Sequence, residues 1–516
     1  MSSWCAGRAA ASAKDALDNL PTKPKKILIM ARGSRGDIQP YIALGMDLNS
    51  KGYIVAILTS EGNDVFVEEA GLQFFSGCPD VEHMLRTNKT ILEAMAKGDT
   101  MKIMQFMCEV AEQFKERITR DCVGAFEDFK PDLVVSGSCM HYWEALAMCK
   151  WKIPVMRIYL IGISHNPQRM SFGLPTLPFG LHRFLVWNLI VGGIHDHDKT
   201  QDDETRKQLG YGVCDVFTRS KRIESIRTPP LPVYVCQSPL FAQVLHPCAH
   251  PDIKFIGPCI IPSDAQRQCP ANFGTTAQME TFLSAGEKPI YCGWGSMTCQ
   301  SPEYMAELVV NAIMHCKRRA IVLGGWANLS MECLRRATQD ETLLTYAKDN
   351  ILFVDKAPHE WLFPQVTCTV HHGGAGTIAA AMRAGVPTVI TPVMADQYDN
   401  AHLVNELGVG FGFSKQFQKT TASELGDAIA SVVNDLSMVA KAKEVAVKLC
   451  AENGVQVAVQ SIEKYWADII LSGKFCSHVE ETIKVPPSWG CFSCVEGISR
   501  KSSGTQEVPG RGVVGA

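Results

Sequence analysis

Three loops of this chain concentrate the residue types that could do chemistry. They are Arg32-Gly33-Ser34-Arg35-Gly36-Asp37, then Val370-His371-His372-Gly373-Gly374-Ala375-Gly376-Thr377, then Thr391-Pro392-Val393-Met394-Ala395-Asp396-Gln397. In the second, glycines at 373, 374 and 376 let the backbone approach a ligand closely. The helix they open presents free N–H groups and a positive dipole end to negative charge, which suits a diphosphate. A histidine beside them can donate to phosphate oxygens. A tight turn with one buried histidine would explain one ring but not the whole cluster. In the third loop a carboxylate and an amide stand side by side, a donor and acceptor set matched to the vicinal hydroxyls of a sugar. In the first loop, Asp37 has two readings. It caps a helix N-terminus, or it accepts a proton from a hydroxyl at the carboxyl end of a strand. A dinucleotide-binding loop is disfavoured, because the G-x-G-x-x-G spacing is absent and the next strand ends in Thr59-Ser60, with Glu61 only adjacent.

The elements that must position these loops repeat in two halves. Lys25–Met30 is a short apolar run ended by the first loop, followed by a helical pattern to Asn49 and a second run, Tyr53–Leu58. Strand, loop, helix, strand is a βαβ unit and implies a parallel sheet. Leu133–Ser136 and Pro154–Leu160 continue it. The pattern restarts at Lys288–Gly293 and continues with a helix over Pro302–Cys316. Strands follow at Ala320–Leu323, Ile351–Val354, Thr367–His371 and Thr388–Pro392, with a helix from about Thr377 to Ala384. The fold class is therefore α/β, with two doubly wound domains facing across a cleft and ligands at the carboxyl ends of the strands. The boundaries read as a flexible segment over 1–24, a first domain over 25–257, and a linker over 258–287 rich in Pro, Gln, Ser, Thr and Gly. A second domain follows over 288–472, and a largely disordered tail over 473–516.

Bulk properties agree with two cores of ordinary size. The chain has 516 residues, 46% of them hydrophobic, with 50 basic against 53 acidic residues and a net charge of −3. No basic face stands out, which excludes nucleic acid as a partner. The twenty cysteines are scattered, many within apolar runs, as with Cys292, Cys316 and Cys368, so a reduced, cytoplasmic setting is expected. Met1–Lys26 lacks the apolar core of a signal peptide, and Asp15 and Asp18 argue against a transit peptide.

The motifs carry a resemblance. His371–Thr377, Arg383-Ala384-Gly385-Val386-Pro387 and Asp396-Gln397 resemble the donor-binding signature of UDP-sugar-dependent GT-B glycosyltransferases. Gly33–Pro40 is similar to the N-terminal loop of the sterol 3-beta-glucosyltransferases and of the glycopeptide-antibiotic glucosyltransferases. Gly293-Trp294-Gly295-Ser296-Met297 and Ala357–Pro364 are similar to two further elements of the sterol enzymes. The likeness covers roughly Lys26–Leu471.

It implies an inverting transfer of a hexose, glucose foremost, from a UDP-sugar to a hydroxyl of a lipophilic acceptor such as a sterol. His371 would contact the diphosphate, with His372, Gly373, the backbone of Gly374–Thr377 and Ser296 around it. Ala357, Pro358, His359 and Trp361 would hold the nucleobase, and Asp396 and Gln397 the sugar. Gly33, Ser34 and Arg35 would border the donor, and Asp37 would be the general base. No cofactor and no metal is implied. Two departures limit the likeness. Ala379 stands where plant small-molecule enzymes have an acidic ribose ligand, and Val393–Tyr398 is closer to the antibiotic enzymes than to the sterol ones. Other hydrophobic acceptors, a sugar-nucleotide epimerase and a non-catalytic nucleotide- or lipid-binding protein are the rival readings.

For the acceptor, the apolar segment 172–187 offers Phe172, Leu174, Phe179 and Trp187 as pocket lining or as a rest on a membrane surface. A core helix preceded by a loop is the plainer alternative. Met101–Phe114, with Met101, Met104 and Met107 at three-residue spacing, reads as core packing before ligand contact. His195-Asp196-His197-Asp198 reads as a solvated loop before a metal site, and Cys491 and Cys494 lack the second ligand pair that zinc needs.

Overall fold

A computed structural model of the chain describes residues 21–97, 99–137, 140–162, 176–182, 219–274 and 276–483. Two parallel sheets organise it. The first contains β1 (Lys26–Met30), β2 (Ile54–Ser60), β3 (Gln73–Cys78), β4 (Leu133–Ser136), β5 (Val155–Tyr159), β6 (Val233–Val235) and β7 (Ile253–Phe255). Their spatial order is β3-β2-β1-β4-β5-β6-β7. The second contains β8 (Ile290–Gly293), β9 (Ala320–Leu323), β10 (Ile351–Val354), β11 (Cys368–His371), β12 (Thr388–Ile390) and β13 (Gly410–Gly412), in the order β10-β9-β8-β11-β12-β13. β1 and β4 are buried almost throughout, as are β8 and β11, because helices cover both faces of a parallel sheet.

Both sheets reverse direction of winding once, between β1 and β4 and between β8 and β11. A doubly wound sheet opens a crevice at that point, outside the carboxyl ends of its strands. The first loop follows β1 and the second follows β11, so the topology puts the two motif loops at the two crevices. Helix α1 (Arg35–Ser50) begins directly after Ser34, and α2 (Ala375–Arg383) directly after Gly374. Helix α3 (Gln397–Leu407) begins after Asp396 and ends at Gly408, whose φ of 64° closes it.

The far end of the chain departs from expectation. Helix α4 (Gly454–Tyr465), read from sequence as the close of the 288–472 domain, packs on the first domain. Ala458, Val459, Ile462, Tyr465 and Trp466 join the first core, and the Tyr465 hydroxyl donates to the Val155 carbonyl at 2.8 Å. Gln456 Nε2 donates to Asp47 at 2.8 Å, and Trp466 Nε1 to the Pro21 carbonyl at 3.0 Å. The cause is the apolar stripe of α4, which finds its partner face on α1 rather than in the second sheet. Two other expectations change. The first part of the tail is helical over Lys474–Ile483 with Phe475 buried, and the 258–287 linker forms three short helices, Ser263–Arg267, Pro270–Phe273 and Ala277–Ser284.

Candidate active site

After β1 the chain turns through Gly33, whose φ of 138° belongs to glycine. A Cβ there would lie 2.3 Å from Asp37 Oδ2, so the carboxylate folds back over the loop. The Ser34 N–H donates to Asp37 Oδ2 at 2.7 Å and the Ser34 hydroxyl at 3.0 Å. The capping reading of Asp37 is therefore realised. Burial raises its pKa above the ordinary carboxylate value, and the two Ser34 bonds work against that rise.

Arg35 turns away from this loop. Its guanidinium lies between the rings of Phe66 (4.8 Å) and Phe273 (4.5 Å) and donates to the Asn272 carbonyl of the linker.

The two histidines after β11 separate. His371 is fully buried, and its Nδ1 accepts from the Gly373 N–H at 3.0 Å. With Nδ1 an acceptor, Nε2 carries the proton and donates to Thr388 Oγ1, 3.0 Å away on β12. Burial, with His372 and His359 nearby, holds its pKa well below the usual histidine value, so the ring is neutral. Both nitrogens of His371 are thus spent inside the domain, which corrects the expectation that it faces a diphosphate. His372 points the other way, as successive residues of an extended strand must. Its ring sits in a cradle of glycines. A Cβ at Gly295 would be 3.2 Å from His372 Cε1, and one at Gly374 would be 2.5 Å from Nε2. Burial lowers its pKa to about 4, while a hydrogen bond to the Gly293 backbone works in the other direction. His372 Nδ1 is buried without a hydrogen-bond partner among the described residues. This ring stands where α2 begins, beside Ser296, which is half-buried in the turn that Met297 N–H closes onto the Trp294 carbonyl at 2.9 Å.

The third loop is held from within. Gln397 Oε1 accepts from the Val393 N–H at 2.8 Å and the Met394 N–H at 3.0 Å, so its carbonyl is committed. Ala395 takes φ 52°, a strained value for a residue with a Cβ, and turns the chain so that Asp396 starts α3. Burial raises the Asp396 carboxyl to about 7, and the neighbouring Asp399 and then Asp37 add to the rise. Asp37 belongs to the first domain, so its charge acts on Asp396 from the other domain. Asn400, an ordinary helix position in the sequence, donates to the Gly373 carbonyl at 2.7 Å and ties the second loop to the third. Trp294 Nε1 does the same between β8 and β12, donating to Thr391 Oγ1 at 2.9 Å.

The segment after β10 divides similarly. His359 stacks on Phe363 at 4.5 Å and its Nε2 lies 2.9 Å from the Tyr291 hydroxyl, so its ring builds the loop from below. Burial lowers its pKa to about 3. Pro358 is buried, whereas Ala357 and Trp361 are half-buried at the surface of the loop. Ala379, at the expected ribose position, is buried.

The acceptor expectations fare less simply. Phe172, Leu174 and Trp187 lie outside the described residues, as do 195–198, Cys491 and Cys494. Phe179 is 99% exposed at φ 56°, so among the described residues it lines no pocket. No described helix is long and apolar enough to cross a membrane.

Comparisons with known proteins follow the same division. Residues 27–141 match the glycosyltransferase family 28 N-terminal domain, and residues 320–464 match the C-terminal domain of erythromycin biosynthesis protein CIII-like proteins. A sterol 3-beta-glucosyltransferase of Leptosphaeria maculans is 29% identical over 86% of this chain, which spans 29% of that protein. One of Arabidopsis thaliana is 28% identical over 93% of this chain and 71% of its own length. Against the fungal relatives generally, the chain spans between 27% and 35% of their length. Among solved structures, the glycosyltransferase of kitacinnamycin superposes with a TM-score of 0.57 at 20% identity, covering 86% of this chain and 99% of that one. With a glycosyltransferase family 28 model on the first half and an erythromycin biosynthesis CIII-like model on the second, the chain has the GT-B fold of its structural neighbours and is similar to glycosyltransferases, sterol 3-beta-glucosyltransferases among them.

Proposed function

We propose that the protein transfers glucose from UDP-glucose to the hydroxyl of a lipophilic acceptor, a sterol, with inversion at the anomeric carbon. The observation that carries this reading is the pair of strand-end loops, one holding the buried Asp37 after β1 and the other the glycine-cradled His372 after β11. Asp37 takes the proton of the acceptor hydroxyl while that oxygen forms its bond to the anomeric carbon. The bond from that carbon to the diphosphate oxygen breaks, and UDP leaves with the electron pair. The N–H groups at the start of α2, the His372 ring and the Ser296 hydroxyl take up the developing charge, fixed in place before the reaction. Asp396 and the free amide end of Gln397 hold the sugar hydroxyls. The nucleobase rests on Ala357 and Trp361. This scheme calls for no cofactor and no divalent metal, since the helix and the histidine meet the phosphate charge.

The similarity to sterol 3-beta-glucosyltransferases supports the sterol and glucose parts of this reading. The test is incubation of the protein with UDP-glucose and a panel of sterols, following sterol glycoside and free UDP. Asp37→Asn is expected to abolish transfer while UDP affinity stays unchanged. Full activity in Asp37→Asn overturns the base assignment. Tight UDP binding with no acceptor glycosylated turns the reading to a binding protein.

A further inference from the structure

The linker between the domains touches the Asp37 loop with one side and the nucleobase loop with the other. On the first side, Phe273 closes the stack on Arg35, Asn272 receives the guanidinium at its carbonyl, and the Asn272 amide donates to Glu69. Phe66 and Phe273 also meet edge to face, 5.9 Å apart. Arg35 is two residues from Asp37 and is the first residue of α1. On the second side, Lys356 Nζ donates to the Ala271 carbonyl. A Cβ on Gly274 would lie 2.6 Å from the Lys356 carbonyl oxygen, so the two backbones are in direct contact. Arg267 stands over the Trp361 ring at 5.8 Å. Lys356 precedes Ala357, and Trp361 ends the nucleobase segment.

We propose that residues 267–274 are a relay, and that Arg35 is the positioning residue through which occupation of the nucleobase loop fixes the loop carrying Asp37. A planar guanidinium clamped between two rings and bonded to a backbone carbonyl has few other arrangements, which is what such a coupling needs. A base on Ala357–Trp361 restrains Lys356 and Trp361. These restrain Ala271, Gly274 and Arg267, and Phe273 with Asn272 then holds Arg35. Donor binding thereby readies the proton acceptor in the other domain. The relay rests on the nucleotide-sugar reading above and adds to it an order of events.

Amide hydrogen exchange with and without UDP tests it, because it needs no turnover. In the wild type, UDP is expected to slow exchange in 357–361 and also in 33–38. In Phe273→Leu the slowing at 357–361 persists and that at 33–38 disappears. Direct contact of UDP with Gly33–Arg35 would survive this substitution, so retained slowing at 33–38 overturns the relay. Arg35→Lys keeps the charge without the planar stack and is expected to behave as Phe273→Leu does, which guards against a folding defect in either. In turnover both variants should lose about tenfold in kcat with little change in the KM for donor, the size of coupling such networks carry. Slowing at 357–361 alone in the wild type defeats the relay and leaves the donor reading standing. Slowing nowhere defeats the donor reading and the relay with it.

Discussion

The His371 ring donates to the Thr388 hydroxyl at 3.0 Å, from β11 to β12, and this bond sorts the two neighbouring histidines into different roles. A buried imidazole with both nitrogens satisfied holds the sheet at its carboxyl edge. His371→Ala should leave the buried Gly373 N–H unmatched and remove one bond to Thr388, at a cost of about 1–3 kcal/mol, visible as a lower Tm. His372→Ala should lose less Tm than His371→Ala, since its Nδ1 has no partner among the described residues to lose, and should lose about 10²–10³ in kcat/KM, as removal of one preorganised donor does. Thermal unfolding and transfer kinetics on both variants check this. The opposite pattern, a stable but inactive His371→Ala beside an active His372→Ala, reverses the assignment.

The same pair marks how far the sequence is legible. The cluster of histidine and glycine after an apolar run announces a ligand loop, but both rings are histidines, and a strand turns consecutive side chains to opposite faces. Which face is the core depends on Thr388, a residue whose identity says nothing until β12 lies beside β11. The strands β4, β9 and β10 are readable to the residue, because a short apolar run bounded by turn signals has few other uses. β6, β7 and β13 are three residues each, and β13 is Gly-Phe-Gly, so neither length nor periodicity announces them. Helix α4 shows an apolar stripe, yet a stripe does not name its partner, and α1 of the other domain supplies it. Asn400 escapes notice for a like reason, since its partner is a backbone carbonyl 27 residues away.

Asp396 should make stability depend on pH. Its folded-state value of about 7 stands above the ordinary 3.8, so the native state keeps a proton that the unfolded chain releases. That preference stabilises the fold fully below pH 3.8 and is lost as pH rises through about 7. Asp396→Asn, which cannot ionise, is expected to gain Tm relative to the wild type steadily across that window and to hold a constant margin above it. Differential scanning between pH 4.5 and 8.5 without ligand checks this. A margin that does not change with pH means that Asp396 is solvated and ordinary.

Ser34 should act on the activity profile as well as on the helix. Its hydroxyl bond to Asp37 Oδ2 favours the ionised carboxylate, and the Ser34 N–H bond remains in Ser34→Ala. Loss of the hydroxyl therefore raises the Asp37 pKa further. The acid limb of kcat/KM should move to higher pH in Ser34→Ala, with the alkaline limb in place. The lost cap should cost about 1 kcal/mol of stability. An acid limb that stays fixed while transfer persists would point to a proton acceptor other than Asp37.

The two passages of the chain between the domains should be intolerant of added volume. Gly257, with φ 86°, stands directly before the linker, and Gly454 begins α4 on the way back. A Cβ on Gly454 would lie 2.3 Å from the Gly257 carbonyl oxygen and 2.4 Å from that of Pro258. These are backbone atoms, which cannot rotate out of the way as a side-chain end does. Beside them, Ser238 of the first domain donates to the Glu452 carboxylate at 2.6 Å, so the returning passage is bonded to that domain as well as packed on the outgoing one. Gly454→Ala must separate the crossings and draw α4 from its seat on α1, at about 1–3 kcal/mol by the usual scale of overpacking. Because the crossings set how the domains face, transfer should fall more steeply than the affinity for UDP alone, which needs only the second domain. Calorimetric titration with UDP beside initial rates separates the two, and an equal loss in both would show that the second domain itself had been disturbed.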